Sequence, residues 1–498
     1  MLCVNAVNCT RHLFVPLPNG RSAWDLLIER TLTPELARVK GNTPVLLLAP
    51  EGLVEEIPDA WKSETRADWT PEEFFATVRR FSEGLDSTDT TVVFMHADAP
   101  FLSPHITQQL ETLHQDYHVQ YTFADGYPEG MAPEFIDRRI LSALEKLAAE
   151  IPMQRNLLFE TVAKDINSFD VETELAPADY RDLRLQLYCD GARNTALCSA
   201  LMQAGGHESD EKLLSILREQ GQLLRTLPSF AAVEVSTARA QSVTYLPKYS
   251  NPSGQQFMQV ADFSKLCTEL VNFAPEISLA LSVPGEIGLH PHPEKLVAAA
   301  REAGVARLLL ETGGCGWSAG KLADVHAAWP DLHLVVDLDA LDRPTYEKLR
   351  GHGYDEAYAF AEDALALFGK RCHIASTRST LNELELDSFY SHWKNKGAEV
   401  LIRKYNHYSH RLPDLRVTDL SPLRRHPCRH LERDLSIAVD GTAYMCLDDI
   451  ERSHPLGNIF QDGMVSVWES GAARFREHLA GEFSTICRDC DEYYTFNF

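Results

Sequence analysis

Four cysteines near the C-terminus, Cys428, Cys446, Cys487 and Cys490, form the set Cys428-x17-Cys446-x40-Cys487-x2-Cys490. Thiolates bind soft and borderline metals, and four of them complete either one tetrahedral zinc site or one [4Fe–4S] cluster. Four-cysteine zinc sites usually use two Cys-x2-Cys knuckles, and this set has one, so the spacing leans to the cluster. With every iron held by a protein thiolate, such a cluster suits structure or electron transfer better than substrate activation. The other seven cysteines (Cys3, Cys9, Cys189, Cys198, Cys267, Cys315, Cys372) show no ligand spacing and read as buried thiols. An odd total of 11 does not read as a disulfide framework, and a reducing compartment favours metal ligation.

The elements that must position these thiols are legible around them. Leu435-Ser-Ile-Ala-Val, the turn Asp440-Gly441 and Ala443-Tyr-Met-Cys predict a hairpin that delivers Cys446 on its return, with Cys428 at the entry. A short helix containing Trp468 is expected after Leu456-Gly-Asn-Ile-Phe. Upstream, six apolar runs starting at Ala231, Ile277, Ala306, Leu332, Cys372 and Val400 predict six parallel strands, with helices such as 293–303 and 343–351 between them. This is a partial barrel or open sheet, with ligands expected at the strand C-termini. Residues 1–190 also read as α/β, with buried strands at 43–49 and 90–96 and helices over 71–85 and 104–114. Between them, 191–228 reads as a helical linker stopped by Pro228. The expected domains are 1–190, 191–228, 229–413 and 414–498.

A chain of 498 residues with 44% hydrophobic and 24% charged residues is expected to be globular and divided into several domains. Its net charge of −25 argues against a nucleic-acid surface. The local run Arg424, Arg425, His426, Arg429 and His430 reads as a solvated loop. No segment reads as a membrane span or signal peptide, so the expected location is cytoplasmic.

Cys428, Gly441-x4-Cys446, Leu456-Gly-Asn-Ile, Trp468 and Cys487-x2-Cys490 together resemble the SPASM or twitch module that extends radical S-adenosylmethionine (SAM) enzymes. The chain has none of the further cysteines of a two-cluster SPASM module, so the likeness is to the shorter twitch type. It implies one auxiliary [4Fe–4S] cluster. Other stretches resemble the barrel of those enzymes. Ser282-Val-Pro-Gly-Glu-Ile-Gly-Leu-His-Pro291 is similar to the Gly-Gly-Glu-Pro loop after the second strand, which implies a SAM contact for Gly285 and Glu286. The loop after the first strand, Glu234–Pro247, departs from the family. Its three cluster-ligand positions fall on Arg239, Val243 and Leu246, none of which ligates iron, so reductive SAM cleavage is not expected.

Val92-Val-Phe-Met-His-Ala-Asp98-Ala-Pro resembles the metal-binding strand end of GT-A-like nucleotidyltransferases, and Tyr127-Pro-Glu-Gly-Met-Ala-Pro-Glu134 resembles their sugar-side segment. The likeness implies Mg²⁺ and nucleotide near Asp98 and Glu134. Against it, Asn5-Ala-Val-Asn-Cys-Thr-Arg11 lacks the glycine-rich phosphate loop, and a strand-end Asp is more often a helix cap.

The whole chain resembles the spiro-SPASM proteins: a GT-A/Rossmann-like domain, a central radical SAM-like (βα)6 partial barrel without its catalytic cysteines, and a C-terminal SPASM/twitch module. The expectation is an iron–sulfur protein with a binding, scaffold or electron-relay role, partnered by a redox protein or a radical SAM enzyme. The alternative is an enzyme with residual nucleotide or sugar transfer, or with non-radical SAM-dependent activity.

Overall fold

Strands β1 (Leu2–Asn5), β2 (Val45–Pro50) and β4 (Thr91–His96) are continuous apolar runs, and such runs form where both faces of a sheet are covered. The computed structural model describes residues 1–32, 43–85, 90–247, 254–281 and 285–495. The chain divides into two compact units, Met1–Leu223 and Leu224–Phe498.

In the first unit, β3 (Lys62–Arg66), β5 (Tyr121–Asp125), β6 (Glu134–Asp137) and β7 (Val171–Leu175) complete a seven-stranded sheet of order β3-β2-β1-β4-β6-β5-β7. Pairing is parallel from β3 to β4, while β6 runs antiparallel to both β4 and β5. Helix Pro71–Glu83 starts at a capping box of Thr70 and Glu73 and packs Phe74, Phe75 and Val78 into the core under the sheet. The helices Ala192–Gln203 and Asp210–Glu219 lie within this unit, so the segment read as a linker over 191–228 is mostly part of it.

In the second unit, six strands run parallel, each beside the next: β8 (Phe230–Val233), β9 (Ser278–Leu281), β10 (Arg307–Thr312), β11 (His333–Asp337), β12 (Cys372–Arg378) and β13 (Glu399–Lys404). Alternate residues face opposite ways. Ala231, Val233, Leu279, Leu281, Leu310 and Leu334 join the large core packed by the crossover helices, while Phe230, Ala232, Ala280 and Leu309 form a small cluster on the other face. The sheet does not stop at β8. Strand β14 (Asp434–Ile437) pairs parallel to it, Phe230 opposite Asp434 and Val233 opposite Ile437, and β15 (Thr442–Tyr444) and β16 (Pro455–Asn458) continue antiparallel. The six strands and the hairpin agree with the sequence reading. The barrel and the C-terminal module are nevertheless one nine-stranded sheet within one compact unit. Among the described residues, no helix is long and apolar enough to cross a membrane.

Candidate metal centre and the barrel mouth

The four C-terminal cysteines are drawn to one place by short-range geometry. Cys428 precedes the short helix Arg429–Arg433, which leads into β14. The turn at Asp440-Gly441 reverses the chain into β15, and Cys446 follows two residues after that strand. Buried Asp449 then shapes the next loop, its carboxylate accepting from the Ser453 and His454 N–H groups at 3.0 and 2.8 Å. Cys487 lies in the turn of helix Thr485–Arg488, and the Cys490 N–H donates to its carbonyl at 3.3 Å. All four cysteines line a single cavity of about 250 Å³, together with Tyr408, His430 and Asp448. Burial pushes all four thiols up, Cys428 to about 12, and a cationic metal core would favour their thiolate form. The donor set, four thiols lining one cavity, fits an iron–sulfur cluster in residue type and number.

Gly441 has φ +84°, and a Cβ there would meet the Phe460 ring at 2.4 Å. We expect Gly441→Ala to destabilise the chain by about 1–2 kcal/mol in chemical denaturation, from left-handed backbone strain and the displaced ring.

A second local feature borders the cavity. Tyr408, Ser409 and His410 all have positive φ (52°, 52° and 65°), three successive non-glycine residues in the left-handed region. Each such residue costs about 1–2 kcal/mol, so the turn must be held by its surroundings. Asn406 accepts from the Tyr408 N–H at 2.7 Å and donates to Asp448 at 3.0 Å. His407 accepts from the His410 N–H and stacks on its ring at 4.4 Å, and the Ser409 hydroxyl donates to the Ile486 carbonyl.

The residues read as a solvated basic loop mostly turn inward. Arg429 pairs with Glu432 at 2.9 Å, and His430 pairs with Asp434 at 2.6 Å. Arg425 donates to the Cys487 and Arg488 carbonyls and stacks on Phe483 and Tyr493. Arg424 alone of the run is exposed. Local charge clustering could not reveal this, because several of the partners lie far along the chain.

The barrel mouth, at the C-terminal ends of β8 to β11, is occupied by side chains. Arg350, 4% exposed, donates to Asp339 at 2.6 Å, to the Tyr245 hydroxyl at 2.7 Å and to Gln241 at 3.0 Å. Tyr245 also donates to Asp339. The space left among Arg239, Val243, Leu246, Gly285, Glu286 and Arg350 is about 30 Å³, room for a water or two. Glu286 is committed to the fold, accepting from the Gly288 and Gly313 N–H groups and from the Thr312 hydroxyl at 2.8, 2.9 and 2.6 Å. Gly285 approaches so closely that a Cβ would fall 1.5 Å from the Ser236 carbonyl oxygen. The preceding Ser282–Pro284 of this loop lie outside the described residues. The sequence reading missed Arg350. The signal was present in helix Arg343–Arg350, whose buried stripe Tyr346, Leu349 and Arg350 has helical spacing and a charge at its end.

In the first unit, Asp98 is 0% exposed and paired through both carboxylate oxygens to Arg155, at 2.9 and 2.5 Å. Arg155 also reaches Asp190 at 3.3 Å and stacks on Tyr188. Asp98 thus joins a buried ion-pair network. Glu134 accepts from the Tyr121 hydroxyl, and burial raises its pKa to about 7. A carboxyl group with a raised folded-state pKa contributes stability that is complete below its unfolded value near 4.5 and lost as pH rises through about 7. Glu134→Gln should therefore remove a decline of about 3 kcal/mol between pH 4.5 and 8, read from urea unfolding at each pH.

Residues 428–491 match the SPASM family model, an iron–sulfur cluster-binding domain, so the C-terminal cradle is that of an iron–sulfur protein. Over 361 residues, 69% of this chain and 99% of the relative, the sequence is 32% identical to an uncharacterized protein of Treponema pallidum (strain Nichols), and the chain belongs to the same family as that protein. Among solved structures, similarity is found to Streptococcus suis SuiB bound to precursor peptide SuiA, at 13% identity and TM-score 0.42, covering 72% of this chain and 84% of that one. Native anSMEcpe with bound AdoMet matches at 14% identity and TM-score 0.39, over 53% and 90%. A cytidylyltransferase from Leptospira borgpetersenii matches at 13% identity and TM-score 0.35, over 45% and 94%.

Proposed function

We propose that Cys428, Cys446, Cys487 and Cys490 hold one auxiliary [4Fe–4S] cluster, and that the barrel is a scaffold for it rather than a site of SAM cleavage. The observation that carries this reading is a contrast within one sheet. Four thiols surround a cavity of about 250 Å³, while the barrel mouth retains about 30 Å³. Arg350, Tyr245 and Asp339 fill the mouth with a satisfied network, and Gly285 and Glu286 are spent on loop packing. With four thiolate ligands the cluster has no open iron, so its chemistry is electron transfer or structural bracing. The protein then acts as a binding or electron-relay component in a reducing cytoplasm, alongside a redox or radical SAM partner.

Anaerobic purification with iron, sulfide and zinc quantified, followed by EPR of the dithionite-reduced protein, tests this reading. About four irons per chain with a reducible signal is the expected result. One zinc without iron would sink the cluster assignment, and about eight irons would sink the filled barrel mouth.

A further inference from the structure

Just past the end of β4, oxygen atoms gather around a cation that the chain itself supplies. Arg155 donates to both carboxylate oxygens of the fully buried Asp98, at 2.9 and 2.5 Å. The same guanidinium donates to the Asn8 carbonyl at 3.3 Å and meets a carboxylate oxygen of Asp190 at 3.3 Å. The Tyr188 ring covers it at 4.2 Å. The cage is held by the backbone: the Cys189 N–H donates to the Asp98 carbonyl at 2.8 Å, which seats Tyr188 and Asp190 on either side of that contact. Asn194 holds the second oxygen of Asp190 at 2.9 Å.

Two carboxylates and a backbone carbonyl beyond the C-terminal end of a parallel strand are the hard oxygen donors that Mg²⁺ takes. The likeness of the Val92–Pro100 segment to a metal-binding strand end implies that ion. The donors suit it, but the space does not, because the guanidinium already lies among them. We infer that Arg155 stands in the place of a divalent cation, so that the first unit binds no Mg²⁺ at Asp98 and takes no nucleotide through one. A metal could enter only by breaking every contact of a guanidinium whose side chain is 14% exposed. Mg²⁺ also sheds its water reluctantly, whereas a tethered cation carries no association cost. The result is a site closed by its own counter-ion, independent of metal supply.

The test uses the full-length protein, with Mn²⁺ as an EPR-visible substitute for Mg²⁺ and with urea unfolding in its presence and absence. Mn²⁺ should leave the wild-type urea midpoint unchanged. Arg155→Ala should bind about one more Mn²⁺ per chain than wild type, and the ion should raise its lowered midpoint. Should Arg155→Ala unfold without metal, its refolding in Mn²⁺ is the same readout. Arg155→Ala/Asp98→Asn, which no longer strands the buried charge, should fold without metal and lose the extra ion. A Mn²⁺-dependent rise in the wild-type midpoint that Asp98→Asn removes would show that metal displaces the guanidinium. An Arg155→Ala chain that gains neither an ion nor stability in Mn²⁺ would show that these oxygens are no cation site. Either result overturns the inference.

Discussion

Chains carrying Cys446→Ala and Cys487→Ala together are expected to purify with iron near background in place of about four per chain, and with a C-terminal module that proteases open. Each alanine removes one of the four thiols that line the cavity. The surrounding core is small, with Leu431, Met445, Phe475, Ile486 and Tyr493 packed around the thiols themselves. Metal binding and folding are coupled in sites of this kind, so losing the ligands costs order as well as metal. Iron and sulfide analysis alongside limited proteolysis reads both effects. Retention of iron by the double variant would show that the four cysteines are not its ligands.

Replacing Arg350 with methionine is expected to destabilise the Leu224–Phe498 unit by about 3–5 kcal/mol, the usual cost of stranding a buried charge. Asp339 and the Tyr245 hydroxyl both face the guanidinium, and all three side chains are buried. Methionine fills much of the volume and donates nothing. Adding Asp339→Asn should recover part of the loss, because it removes the orphaned charge. Asparagine also tolerates the φ of +65° at that position and can still accept from the Thr377 N–H. Urea unfolding, with hydrogen exchange assigning the loss to this unit, measures both variants. Equal stability of wild type and Arg350→Met would mean that the mouth is open to water and able to rearrange.

The six strands from β8 to β13, and β2 and β4 of the first unit, were legible because buried parallel strands are written as unbroken apolar runs, whereas short or polar strands such as β3 and β7 were not. The hairpin was legible because Asp440-Gly441 supplies a left-handed turn between alternating residues. The cysteine cradle was legible from residue type and spacing. Pairings between distant residues were not. Nothing local to Asp98 announces Arg155, and nothing near Phe230 announces that Asp434 lies beside it in the sheet. Tyr408–His410 was hidden for the opposite reason. A left-handed turn normally advertises itself with glycine or asparagine, and here surrounding contacts impose it on residues that do not prefer it. The basic run beside Cys428 was misread because a sequence shows its charges but not its partners.

The parallel pairing of β14 with β8 gives the chain no clean place to be cut near residue 413. A fragment ending there would leave the backbone groups of β8 unpaired along one side of an apolar-backed sheet, ready to template a neighbouring copy. The cluster module therefore serves the barrel as a selvedge serves cloth, closing an edge that would otherwise unravel into aggregation.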